Sequence, residues 1–259
     1  MRILLILTFP LDAAAVEQRR AKIPAGLLSP ETEVDLVPIV DVGKPLMDSH
    51  YDLALYEPFI IQRGIQAEEQ GYEAVAVDSV SDVGVNALRS RLSIPVIGAG
   101  QAAYAVASML GRRFSILTRW NGWSWLHDAS LDAYGLRDRC VSVRAPHLPV
   151  EVTEALRGKH AGEASVLMEG HPEYFPAFLR EAEAAVSEDN ADVLVLASMT
   201  MQEAFEYLVP RVGVPVVDPG PLALKMLELW HSLGLTHSKR AWPSPAEVHD
   251  ERFLGLLGG

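Results

Sequence analysis

Cysteine is almost missing from this chain: Cys140 is the one thiol among 259 residues. A single cysteine forms no intrachain disulfide, so the sequence fits a reducing compartment, and a cytoplasmic protein is expected. Cationic side chains are scarce too. Lys and Arg number 22 against 34 Asp and Glu, a formal net charge of −12. A nucleic-acid partner requires a cationic face that neutralises phosphates, and this balance argues against one. It equally disfavours an anionic membrane surface. No apolar run reaches the roughly 18 residues of a spanning helix.

Several catalytic signatures are also absent. The chain has no G-x-S-x-G, so the strained nucleophile elbow of the α/β-hydrolases has no support. It has no G-x-x-x-x-G-K-[ST] phosphate loop and no H-E-x-x-H. Eight histidines are scattered without ligand spacing, which indicates no metal site. His127, His171 and His231 are read as surface or structural residues. "GAGQAA" matches G-x-G-x-x-A through Gly98, Gly100 and Ala103, but no acidic residue for a ribose lies between Gln101 and His127. It is read as a tight strand-to-helix turn whose backbone amides would at most hold a carboxylate or phosphate. No cofactor is expected.

What the chain does contain is an internal repeat. "LILTFP" (5–10) aligns with "SILTRW" (115–120), pairing Thr8 with Thr118. "EAVAVDS" (73–79) aligns with "DVLVLAS" (192–198), pairing Ser79 with Ser198. "IPVIGAGQAA" (94–103) aligns with "VPVVDPGPLA" (214–223), pairing Pro95 with Pro215 and Gly100 with Gly220. The matches keep their order and nearly equal intervals, so they describe two similar lobes. The start "MRILLIL" has the look of a short signal peptide. Its recurrence inside the chain as "RRFSIL" assigns it to a first buried strand instead.

The strands are short, continuously apolar and rich in Val, Ile and Leu, with helical segments between them. That pattern predicts parallel sheets covered by helices on both faces, an α/β fold. Eight strands follow: "RILLIL", "EVDLVPI", "EAVAV", "IPVIG", "RFSIL", "CVSVRA", "DVLVL" and "VPVVD". Helices are expected at "IIQRGIQAEEQ", "GWSWLHDASLDAYGL" and "FPAFLREAEAAVSED". Residues 1–110 with 223–259 are assigned to the first lobe and 111–222 to the second. Trp120, Trp123 and Trp125 are read as core or lobe-interface rings, with pocket lining as the lesser use.

Ligands of open α/β sheets bind beyond the carboxyl ends of the strands. Two facing lobes would place Thr8, Ser79, Thr118 and Ser198 around one cleft. Ser81 or Asp82 is expected to cap the helix through "VNALRSRL". Ser79 and the amides of Val80 and Ser81 would then face a bound carboxylate. In the second lobe, Met199 and Thr200 are the counterparts, with Thr200 and Glu203 forming a capping box. Asp218 replaces Gly98 of the other copy, and it is read as a cap for the helix after Pro221.

These segments together resemble the aspartate/glutamate racemase superfamily and, within it, the hydantoin racemase-like branch. The residues that carry the likeness are "RILLILTFP", "SVSDVGVNALRSRLSIPVIGAGQAA", "LGRRFSILT", "ADVLVLASMTM" and "VPVVDPG", over residues 1–225. The resemblance implies a cofactor-free fold of two pseudo-symmetric lobes. It also implies an active site that handles the carbon next to a carboxylate or carbonyl. Racemases of this superfamily place one cysteine at the end of each repeat strand, on opposite faces of the substrate. Here those positions fall on Ser79 and Ser198, and Cys140 lies in another strand, where it reads as a small buried apolar residue.

A serine hydroxyl is no base unless another group activates it, so direct two-thiol racemisation is excluded. The expected activity is a cofactor-independent isomerase acting α to a carboxylate or carbonyl of a small acid or cyclic amide. Ser79 and Ser198 carry the catalytic assignment, with the base left open among Asp78, Asp82, Asp218 and the Tyr and His residues of the middle segments. A lyase resembling the arylmalonate decarboxylases, which keep one thiol, is the alternative; a non-catalytic binder of small acids is the third. A homo-oligomer is expected, with no nucleic-acid or membrane partner.

Overall fold

The computed structural model describes residues 1–40, 49–147 and 174–257. Two four-stranded sheets carry the fold. The first has β1 (Arg2–Leu7), β2 (Glu33–Pro38), β3 (Ala74–Val77) and β4 (Val96–Gly98) in the order β2-β1-β3-β4. The second has β5 (Phe114–Leu117), β6 (Cys140–Arg144), β7 (Val193–Leu196) and β8 (Val216–Val217) in the order β6-β5-β7-β8. Every pairing is parallel. The repeat in the sequence is thus a repeat of topology, and the first segment is a buried central strand.

Alternation along the strands fills a core on both faces of each sheet. In β1, Leu4 and Ile6 join one apolar cluster while Ile3, Leu5 and Leu7 join another. In β7, Leu194 and Leu196 face one cluster, and Val193 and Val195 the opposite one.

Helices α1 (Ala13–Ala21), α2 (His50–Gly64) and α3 (Val85–Arg91) connect the first sheet, and α4 (Ala99–Leu110) leads out of it. In the second half come α5 (Ser124–Tyr134), α6 (Phe175–Ser187), α7 (Gln202–Leu208) and α8 (Pro219–Ser232), and α9 (Asp250–Leu256) follows. The helices expected at "GWSWLHDASLDAYGL" and "FPAFLREAEAAVSED" are α5 and α6. The one expected at "IIQRGIQAEEQ" lies earlier: α2 begins after Ser49, whose hydroxyl accepts the Asp52 amide at 3.2 Å, and residues 65–70 form turns. A strong cap before His50 outweighs the apolar periodicity that continues past Gly64.

The helices that follow the last strand of each sheet exchange partners. Ala103, Tyr104 and Ala107 of α4 pack with Phe114, Ile116 and Val193 of the second sheet. Ala223, Leu224 and Leu227 of α8 pack with Ile3, Leu5 and Ala74 of the first. Met199, from the loop after β7, is buried in that first-sheet cluster. Tyr104 and Leu227 are fully buried, and each such side chain contributes about 1.5–3 kcal/mol of apolar burial. The exchange therefore ties the two lobes through core packing. His50 of α2 also lies against Trp125 of α5, with ring centroids 4.3 Å apart. That contact brings Trp125 against the first half of the chain.

Candidate active site

All strands of a parallel sheet end on the same edge, so the loops after β1 and β3 place Thr8 and Ser79 at one edge of the first sheet, and those after β5 and β7 place Thr118 and Ser198 at one edge of the second. Thr8 and Thr118 are buried at the ends of β1 and β5. The Thr8 hydroxyl donates to the Asp78 carbonyl at 3.3 Å, whereas that of Thr118 has no partner among the described residues.

The two serine loops share one local design. Ser79 Oγ accepts the amide of Ser81 at 3.1 Å and lies 2.8 Å from the Ser81 hydroxyl. Ser198 Oγ accepts the amide of Thr200 at 3.3 Å and lies 3.1 Å from its hydroxyl. Each serine closes a short turn on the residue two positions on, and a hydroxyl can do this while its second lone pair stays available. Val80 and Met199, between the paired residues, are buried.

Two expected caps differ. Helix α3 has Gly84 at its N-cap, at φ +79°, and no side-chain cap from Ser81 or Asp82. Helix α7 starts after Met201, with no side-chain cap, so Thr200 and Glu203 form no capping box. In both loops the hydroxyl is engaged by the preceding serine. Asp82 caps α4 instead: its Oδ1 accepts Gly100 N at 2.9 Å and its Oδ2 accepts Gln101 N at 2.7 Å. The amides of the "GAGQAA" turn therefore hold a carboxylate, one supplied by the chain itself. The Tyr134 hydroxyl donates a third bond at 2.5 Å. Burial raises the Asp82 pKa against these bonds.

Asp78 is consumed as well. Arg19 of α1, which sequence reading passed over, grips it through two bonds of 2.9 and 2.7 Å. Both side chains are nearly buried, at 7% and 8% exposure. Cys140 opens β6, paired in register with Phe114 at the start of β5. It therefore sits at the sheet edge opposite Thr118, about 13 Å away along a four-residue strand, and burial pushes its thiol up to about 11.

Asp218 stands apart from the other two aspartates. Its Oδ1 accepts Gly220 N at 3.2 Å, which makes it the cap of α8, yet it also lines a cleft. Burial pushes its carboxyl up to about 6, while the Gly220 amide and Arg19 oppose that rise and Asp78 adds to it. Arg19, Lys22, Met199, Gln202 and Gly220 line the same cleft. A Cβ on Gly220 would stand 3.6 Å from both Arg19 Nη2 and the Met199 carbonyl. Residues of both lobes thus meet around Gly220. No hydrogen bond joins the Ser79 and Ser198 loops among the described residues.

Among the described residues no histidine lines this cleft. His127 is fully buried, with Nδ1 3.0 Å from the Tyr104 hydroxyl, and burial lowers its pKa to about 4. His231 is partly exposed, 3.6 Å from Glu73, and His171 lies outside the described residues. No group of three His, Cys, Asp or Glu among the described residues could hold a metal ion, and no described helix is long and apolar enough to cross a membrane.

Comparison with known proteins places this architecture. The Asp/Glu/Hydantoin racemase family profile matches residues 13–227. A hydantoin racemase of Pseudomonas sp. (strain NS671) is 30% identical over 198 residues, 76% of this chain and 74% of that protein. One from Rhizobium meliloti is 32% identical over 188 residues, 73% of this chain and 72% of that one. Allantoin racemase from Klebsiella pneumoniae superposes with a TM-score of 0.80 at 28% identity, covering 96% of this chain and 95% of that one. The chain belongs to the Asp/Glu/hydantoin racemase family and is an isomerase of the racemase type.

Proposed function

We propose that this protein racemises a small acid or cyclic amide at the carbon α to a carboxylate or carbonyl, without a cofactor and without paired thiols. The observation that carries the reading is Asp218, a cleft-lining carboxylate with its pKa raised to about 6. A base of that strength is mostly ionised at neutral pH, yet stronger than an ordinary carboxylate. Asp78 is held by Arg19 and Asp82 by the α4 amides, so Asp218 is the aspartate left for proton transfer.

Asp218 takes the α-proton, and the electron pair moves onto the neighbouring carbonyl oxygen as an enolate. Ser79 and Ser198, on the cysteine positions of the family, donate hydrogen bonds to that oxygen. Preorganised donors of this kind stabilise charge as it forms. The carboxylic acid exchanges its proton with water, and return of a proton to either face of the flattened carbon completes racemisation. Thr8, Val80, Ser81, Thr118, Met199 and Thr200 shape the substrate-binding walls.

The test is incubation of hydantoins, allantoin and small 2-substituted acids in D2O with proton NMR. Deuterium uptake at the α-carbon without carbon loss supports the reading. Carbon dioxide release from a malonate identifies a decarboxylase instead. Absence of both, with binding retained, identifies a binder.

A further inference from the structure

Arg119 directly follows Thr118 at the carboxyl end of β5, where the first lobe has Phe9. It is 9% exposed, and burial is the influence that lowers its pKa, to about 10. Its Nε and Nη1 are buried without an acceptor among the described residues. Its described neighbour is the Trp123 ring, 5.6 Å from the guanidinium carbon. The indole Nε1 of Trp123 and the hydroxyl of Thr118 are likewise buried without partners.

Buried polar groups are normally paired, and a buried cation without a counter-ion is costly to hold. Here a guanidinium, an indole N–H and a hydroxyl lie within one short segment, and no acceptor among the described residues meets them. Lys22, which lines the cleft with Asp218, senses Arg119: burial lowers its pKa, Glu203 opposes this, and Arg19 and Arg119 lower it further. Arg119 itself stands just past the carboxyl end of β5, the end of a parallel strand at which ligands of α/β sheets bind. Arg19 is already neutralised by Asp78, whereas Arg119 is a buried guanidinium with no acceptor for its Nε and Nη1 among the described residues.

We infer that Arg119 recognises an anionic group of the substrate, which makes that substrate a carbon acid bearing a carboxylate and not a neutral ring alone. The guanidinium fork matches a carboxylate in two parallel bonds, and Trp123 and Thr118 offer further donors. This rests on the racemase reading of the cleft.

The probes are hydantoin-5-acetate and its primary amide, which share a shape and differ by one charge. Calorimetric titration of the wild type is expected to give binding of the acetate tighter by about tenfold or more. Arg119→Gln is expected to erase that preference, and Arg119→Lys to keep part of it. Melting is the second readout: an arginine held for a ligand leaves Arg119→Gln as stable as wild type or more so. Equal affinity for the two probes, no binding of the acetate, a preference that survives in Arg119→Gln, or a lower melting temperature of that variant overturns the inference. Deuterium uptake at the α-carbon is followed in the same samples. A charge preference that depends on Arg119 without uptake upholds the inference and rejects the racemase reading; uptake with equal affinities does the reverse.

Discussion

Gly100 gives its amide to the carboxylate of Asp82 at 2.9 Å, and the anion site of the glycine turn is thereby filled from within the chain. The glycines make room for it. A Cβ on Gly98 would stand 2.5 Å from the Asp82 carboxyl carbon. Gly98→Ala is expected to destabilise the fold by about 1–3 kcal/mol through overpacking, and Asp82→Ala by about 1 kcal/mol through the lost cap. Urea unfolding of both single variants and the double should show the double well below the sum, because Asp82→Ala opens the space that the new methyl needs. Strict additivity would contradict this relationship.

That turn shows what the sequence could reveal. Strand runs, their repeat and the parallel arrangement were legible because each is written in local periodicity and in order along the chain. The acidic partner of "GAGQAA" was not, because Asp82 reaches the turn across 18 residues and from a neighbouring strand's loop. Arg19 and Lys22 were passed over for a similar reason: nothing in "VEQRRAK" distinguishes them from the charges of any solvated helix face, and only the tertiary fold buries Arg19 on Asp78. Arg119 carried a faint signal, a cation immediately after a buried strand where the repeat has Phe9. The exchange of α4 and α8 between sheets has no local signature at all.

Arg19 and Asp78 form a buried ion pair next to Ser79. Asp78→Asn leaves the guanidinium without its counter-charge and is expected to destabilise the protein by about 3–5 kcal/mol. Thermal melts check this. A change within about 0.5 kcal/mol, as for an exposed surface site, would show that the pair contributes little.

Acid stability should carry the mark of His127. Its folded pKa near 4 lies below the ordinary 6.5, so the unfolded chain binds the proton more readily between those values. Stability is then lost as pH falls from 6.5 toward 4, by up to about 3 kcal/mol. Asp218 works in the opposite sense, because its raised pKa means that the folded state binds the extra proton between about 3.8 and 6. The two nearly offset in the wild type, so urea midpoints at pH 7 and 5 should show His127→Gln gaining stability at the lower pH relative to the wild type. An unchanged slope would contradict the assignment.

For the serines, each hydroxyl is assigned as a donor to the enolate and not as a proton carrier. Ser79→Ala and Ser198→Ala should each lower kcat on the order of 10²–10³-fold, as for loss of one oxyanion donor, with folding little changed. Dead single variants together with a serine adduct by mass spectrometry would make the serine a nucleophile and reject the scheme.

The central claim is proton abstraction by Asp218, and the direct measurement starts from one enantiomer of a substrate in D2O. Optical rotation and α-proton signal are followed together, against pH and against an enzyme-free control. The account predicts that both decay together, with kcat/KM rising through pH about 6 as Asp218 ionises and then levelling. It predicts that Asp218→Asn loses on the order of 10²–10⁴-fold while the fold persists. Exchange at the wild-type rate in Asp218→Asn, or none above the control with any small acid or cyclic amide, would contradict it.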